Sequence, residues 1–334
     1  MKKTILILSM LLLVTIQLNA KVWRLNNTGA DADFTTLQAA HNNSYVLAGD
    51  TLHLEASSGS YGDLTATKPL VIIGAGYFLS ENADMQANLN SSKTGLITFN
   101  AGSEGSIIAG CECDIITIVT NNIIIEKNYI HGSRAIILSG NISNIIIRQN
   151  YLIGGDVWNQ TDAAIYCYRS ICNNCFIYNN FIDMPDNFYC IYVENGFSGN
   201  IFNNVLGKKI SICNSVFNNN IMVSGTFTQS NCTYTHNIGN LTQFGSENGN
   251  QQNINMEDVF VGATRNSSDG QWQLKSGSPA IGAGVGGIDC GMFGGDFPYH
   301  LSGLPSIPAI YYHQQTIDNV NQQLNITIKA KSHN

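Results

Sequence analysis

One eight-residue phrase recurs along the chain. Ile123-Ile-Ile-Glu-Lys-Asn-Tyr-Ile130 returns as Ile145-Ile-Ile-Arg-Gln-Asn-Tyr-Leu152 and as Cys175-Phe-Ile-Tyr-Asn-Asn-Phe-Ile182, with looser copies around Asn204 and Asn220. Each copy is a short β-rich strand, a turn at Asn and a second short apolar strand. No copy can bury its own apolar face. Copies stacked about 4.8 Å apart pair their backbone groups and build one continuous core. The repeat therefore predicts an all-β chain, a right-handed parallel β-helix (solenoid) of about 8 to 10 coils. The equivalent asparagines, Asn128, Asn150, Asn180, Asn204 and Asn220, lie 16 to 30 residues apart, one per coil with room for side loops. Stacked Asn side chains bond amide to amide, and Asn tolerates the left-handed backbone of a tight corner. These five are read as a structural ladder, not as catalysts.

A second strand precedes each asparagine strand: Ile116-Thr-Ile-Val119, Ile136-Ile-Leu-Ser139, Ile165-Tyr-Cys-Tyr168, Ile191-Tyr-Val-Glu194 and Ile210-Ser-Ile-Cys213. Period-two alternation sends Ile136, Leu138, Ile165, Cys167, Ile191 and Val193 inward. The outward column then reads Thr117, Ile137, Tyr166, Tyr192, Ser211, beside a second column of Val119, Ser139, Tyr168, Glu194. A slip of one residue would exchange inside for outside.

Residues 1–20 carry Lys2 and Lys3, an apolar stretch from Ile5 to Leu18 and a small residue at Ala20, the layout of a Sec signal peptide. No cysteine follows that could take a lipid, and no later apolar run approaches the roughly 20 residues of a membrane span. The expected product is secreted, periplasmic or on the cell surface, without a membrane span, and monomeric. Loss of Lys2 and Lys3 would lower the formal charge of −7 by two, which disfavours nucleic acid and anionic membrane as partners. Charged residues are 12% of the chain, about half the usual roughly 25%, yet Ile, Val, Leu and Phe are plentiful, so the composition is not that of a disordered chain. Repeat folds grow by stacking, so 334 residues are read as one domain. The nine cysteines leave at least one thiol unpaired. Cys172 and Cys175 form a CxxC, but its flanks lack a redox helix and no second CxxC completes a zinc site. The cysteines are read as buried small hydrophobes.

An open solenoid needs its ends covered. Phe34, Leu37 and Ala40 or His41 have amphipathic helical spacing and suit an N-terminal capping helix. After it come Gly49-Asp-Thr-Leu-His-Leu54, Tyr61-Gly62 and Pro69-Leu-Val-Ile-Ile-Gly74. This order resembles the opening of the pectate-lyase-like superfamily of right-handed parallel β-helices. At the far end, Asp258-Val-Phe-Val261, Trp272-Gln-Leu274, Ser278-Pro-Ala-Ile-Gly-Ala-Gly284 and Ile288-Asp-Cys-Gly-Met-Phe-Gly294 look like the closing turn of secreted bacterial β-helix proteins. Val259, Cys290 and Met292 depart from that pattern. The small residues are expected to fold back over the last coil, completing a β-helical body at 21–300. The remainder, 301–334 with one strand at Leu324-Asn-Ile-Thr-Ile-Lys329, looks like the tail of uncharacterised secreted Bacteroidetes β-helix proteins.

The superfamily resemblance implies polysaccharide chemistry or binding but no mechanism. The acid motifs of polygalacturonases are absent, and the nearest phrase, His131-Gly132, lacks the leading glycine and the acidic partners. A calcium cluster would need acids converging from adjacent coils. Asp156, Asp162, Asp183 and Asp186 are the candidates for Ca²⁺, the only cofactor suggested, with Arg134, Arg148 or Arg169 as positive groups. Loop acids beside Gly and Pro more often cap turns. The aromatic signal is stronger: Tyr166, Tyr168 and Tyr192 face outward on neighbouring coils beside Arg169 and Glu194, with Trp158 in the preceding loop. Aromatic faces with polar rims suit sugar rings. The expected function is therefore a glycan-binding or adhesive surface protein with a polysaccharide partner. A polysaccharide lyase or hydrolase is the alternative, and a structural envelope protein the second.

Overall fold

The computed structural model describes residues 20–155, 159, 161–318 and 321–332. The expected signal peptide lies outside them except for Ala20. The chain is a right-handed parallel β-helix bounded by three sheets of ten, eight and seven strands. One turn shows the plan. Ile115–Ile118 lies in the eight-stranded sheet, here the tyrosine sheet. Ile124–Glu126 lies in the ten-stranded sheet, here the asparagine sheet. Asn128 turns the corner into Tyr129–Ile130 of the seven-stranded sheet, and Ile136–Leu138 opens the next turn. The expected inward residues Ile136, Leu138, Ile165, Cys167, Ile191 and Val193 are all buried, and Ile137, Tyr166, Tyr192 and Ser211 pair in register on the outward face.

The asparagine ladder forms and runs further than the repeat indicates. Asn128 Oδ1 accepts the Cys111 backbone N–H, and each later Oδ1 accepts the backbone N–H and the side-chain amide of the ladder asparagine one coil earlier. From Asn128 to Asn150 these bonds are 3.0 and 3.2 Å, and from Asn150 to Asn180 they are 2.9 and 3.0 Å. The series continues through Asn204 and Asn220 into Asn237 and Asn250, which the repeat did not single out. The left-handed corner is misplaced in the sequence reading by one residue. It falls on Lys127, Gln149, Asn179, Asn203 and Asn219, each with φ between 54° and 57°. The chain must bend before the ladder asparagine so that its amide can turn inward.

Those five corner side chains point outward and hold the C-terminal segment. Asn219 Oδ1 accepts from Val285 N at 2.9 Å, and Asn203 Nδ2 donates to the Asp289 carbonyl at 3.1 Å. Asn179 donates to the Met292 and Gly294 carbonyls, Gln149 to that of Pro298, and Lys127 Nζ to Ser306 Oγ. The closing segment is thus a strap that runs back over five coils rather than over the last one. It covers the outer face of the seven-stranded sheet, where Trp272 stacks on Phe181 and Phe181 on Tyr151. At its far end Tyr299 meets Tyr77, hydroxyl to hydroxyl, at 2.6 Å. Buried Asp269 accepts from Asn82, Ser267, Tyr299 and Ser302 N. Residues 301–306 therefore belong to the strap. The tail beyond them holds two strands instead of one, Ala309–Asp318 and Gln323–Lys331, paired antiparallel. Ala309–Asp318 is too rich in Gln and Tyr to announce itself as a strand by alternation.

The N-terminal cap helix is Leu37–Asn42, with Leu37, Ala40 and His41 buried and the Thr36 hydroxyl accepting from Ala39 N. Phe34 stays outside the helix and packs on Trp23. Most cysteines are buried free thiols as expected, but Cys172 and Cys175 are joined in a disulfide. The left-handed residue Asn174 lies between them and turns the chain, so both thiols face the core.

Replacing Asn150 by Leu leaves the N–H of Asn128 and the Ile125 carbonyl, to which Asn150 Nδ2 donates, without buried partners. The urea midpoint should fall by the equivalent of about 2 kcal/mol or more. Of seven free thiols only Cys232 is partly exposed, and burial pushes Cys167 and Cys290 up to about 12. Thiol titration should find one reactive group in the native protein and seven after unfolding.

Candidate functional site

The outward column of the tyrosine sheet is Thr117, Ile137, Tyr166, Tyr192, Ser211, Thr228. Parallel in-register stacking places identical positions above one another, so rings on successive coils stack. Tyr166 and Tyr192 lie with centroids 6.1 Å apart and planes at 21°. On the other side of Tyr166, the Arg134 guanidinium sits 4.3 Å from its centroid. Both faces of Tyr166 are therefore occupied. Tyr192 is different, because the next coil offers only Ser211. A serine is too short to cover the ring, and Tyr192 opens onto a groove of 550 Å³ lined also by Arg169, Glu194, Ser211, Thr228 and Gln229. Tyr189 meets Tyr192 edge-on at 5.1 Å.

The second column completes the rim. Tyr168 lies 6.0 Å from Tyr166, and Arg169 packs 4.9 Å from the Tyr168 centroid. The Arg169 backbone N–H donates to Glu194 Oε2 at 3.3 Å, which ties the two coils together at the groove edge. Five of the six residues expected at this flank, Tyr166, Tyr168, Tyr192, Arg169 and Glu194, are thus brought together. Trp158 lies outside the described residues.

Three of the four acids expected to share calcium are described. Asp156 lies outside the described residues. Asp162 is buried and accepts from Arg134 Nε at 2.9 Å and from Asn159 N at 3.0 Å. Asp186 is an exposed partner of Lys208 Nζ at 2.7 Å. Among the described residues no group of three His, Cys, Asp or Glu side chains is arranged to hold a metal ion. One pair was not visible in the sequence. His131 Nε2 lies 3.4 Å from Glu112 Oε1, and Ser91 donates to the same carboxylate. The Glu112 hydrogen bond raises the His131 pKa. Burial works to raise Glu112, but the bonds from His131 and Ser91 bring it below the ordinary value. The two residues sit on consecutive coils, 19 positions apart, so no local motif reports them.

Asp183 is the exception among the loop acids. Its Oδ1 is buried without a hydrogen-bond partner, pressed against Gly207, where an added Cβ would lie 1.9 Å from that oxygen. Burial raises its pKa.

No known family, curated protein or solved structure matches this chain.

The raised carboxyl gives a pH signature. The folded chain binds the Asp183 proton more tightly than the unfolded chain does. Its contribution is therefore complete below the ordinary value near pH 4 and is lost as pH rises through the folded value. Asp183→Asn should raise the thermal midpoint at pH 7 and leave it nearly unchanged below pH ~4. Melting both proteins across that range checks it.

Proposed function

We propose that this is a secreted β-helix protein of the pectate-lyase-like kind that binds a polysaccharide along its tyrosine sheet. The observation that carries the reading is the end of the aromatic stack at Tyr192. An uncovered ring face beside a rim of Arg169, Glu194, Ser211, Thr228 and Gln229 offers a platform for the C–H face of a pyranose and polar partners for its hydroxyls. The strap already covers the outer face of the seven-stranded sheet, which leaves the tyrosine sheet as a flank along which a linear chain can lie. The fold is a scaffold shared by binders and enzymes, so the site and not the fold supports the reading.

The two tyrosines should separate binding from scaffold. Tyr192→Ala removes the open face and should weaken polysaccharide retardation in affinity electrophoresis by about fivefold, near 1 kcal/mol, with a small change in unfolding midpoint. Tyr166→Ala, whose faces are occupied by Arg134 and Tyr192, should lower the midpoint more and the affinity less. Equal affinity of wild type and Tyr192→Ala for every bound glycan would remove this flank as the site.

A further inference from the structure

We propose a second binding site, on the asparagine sheet, that takes a neutral glycan chain. It arises from the same geometric rule as the first but on different residues. Two outward columns cross this sheet side by side. One reads Ile146, Phe176, Asn200, Val216, and the other Arg148, Tyr178, Phe202, Asn218. In each the ladder steps from an aromatic ring to a short amide, one coil apart. Phe202 is stacked on Tyr178 at 4.7 Å and 5°, so its inner face is used. Its other face looks over Asn218, which is too short to cover it. Phe176 looks over Asn200 in the same way.

The strap closes this hollow from the side. Phe297 stands against the Tyr178 ring at 5.9 Å and beneath the Arg148 guanidinium, while Gln149 Nε2 holds the backbone on either side of it by the Phe297 and Pro298 carbonyls. The ring is anchored yet 51% exposed. The resulting cavity of 450 Å³ has Phe176, Phe202 and Phe297 as apolar walls, with Asn200 and Asn218 between them. It lies in the range of small-ligand and sugar sites.

Two features define the ligand. Ladder and corner asparagines in this chain spend their amides on neighbouring coils or on the strap, whereas the side chains of Asn200 and Asn218 make no hydrogen bond to another described residue. They are donors and acceptors left for a solute. Asn200 also borders a second hollow of 660 Å³, whose wall is Asn173, Asn174, Ser198, Asn214 and Thr233 among others and includes no charged side chain. Asn200 lines both hollows, and Asp296 is the single ionisable group among their lining residues. Rings for pyranose C–H faces, amides and hydroxyls for sugar hydroxyls, and no cation among the lining residues, with nearby Arg148 already paired to Glu126, together select an uncharged chain over a uronate. The tyrosine flank, with Arg134, Arg169 and Glu194 beside its rings, has the opposite charge character. The proposal stands independently of that flank.

The test uses the full secreted chain in affinity electrophoresis against xylan, galactomannan and mixed-linkage β-glucan as neutral probes, with polygalacturonate and alginate as anionic ones. Wild type should be retarded by at least one neutral probe. Phe202→Ala should weaken that retardation fivefold or more. Asn218→Ala guards against a folding artefact, because its amide supports nothing else, and should weaken neutral binding with an unchanged unfolding midpoint. Retention of neutral binding in both Phe202→Ala and Asn218→Ala overturns the proposal, as does a wild type that no neutral probe retards. Loss of neutral binding in Tyr192→Ala alone would assign it to the tyrosine flank, overturning this second site and leaving the first.

Discussion

Each ladder asparagine after Asn128 places one carbonyl oxygen where it accepts two hydrogens from the coil before it, a backbone N–H and a side-chain amide. The backbone at a solenoid corner cannot satisfy its own groups, since the chain is bending out of one sheet and into the next. The asparagine supplies the missing acceptor from within the core, where an unmet donor costs on the order of 1 to 3 kcal/mol. Seven ladder asparagines from Asn128 to Asn250 fix the spacing of successive coils at that corner.

Strict register has a consequence for function. In a stacked helix an outward side chain is normally covered by its equivalents above and below, so a column of like residues exposes edges rather than faces. A binding surface arises where a column breaks. Tyr192 above Ser211 is such a break, and so is Phe202 above Asn218. Aromatic residues inside a run, such as Tyr166, are held on both sides and serve cohesion. The strap follows the same logic from the other direction. The left-handed residue before each of the five ladder asparagines from Asn128 to Asn220 turns its side chain outward, and these five side chains anchor a C-terminal segment that the columns alone would not hold.

The polar residues divide by the same criterion. Asp269 is buried with four donors around it and fastens the strap. Asp162 is spent on Arg134, and Glu112 on His131 and Ser91. Asp183 alone keeps a buried oxygen unmet, and its environment favours the neutral acid for that reason. Of the acids expected to gather around calcium, Asp162 and Asp186 are instead taken by Arg134 and Lys208.

The repeat by itself determined the parallel β-helix, the inward and outward columns and the asparagine ladder, because a period of one coil writes burial and stacking directly into residue order. Tyr166, Tyr168, Tyr192, Arg169 and Glu194 were legible as neighbours for that reason. Only the tertiary structure decided which ring face is open, since that depends on the size of the residue one coil on and on what a distant segment covers. It also decided that the closing segment runs back over five coils, that Cys172 and Cys175 pair across an irregularity within one strand, and that Glu112 meets His131. Each of these joins residues through space by contacts that no sequence period records, so the physical information lies in the stacking of coils and not in the order of residues along any one of them.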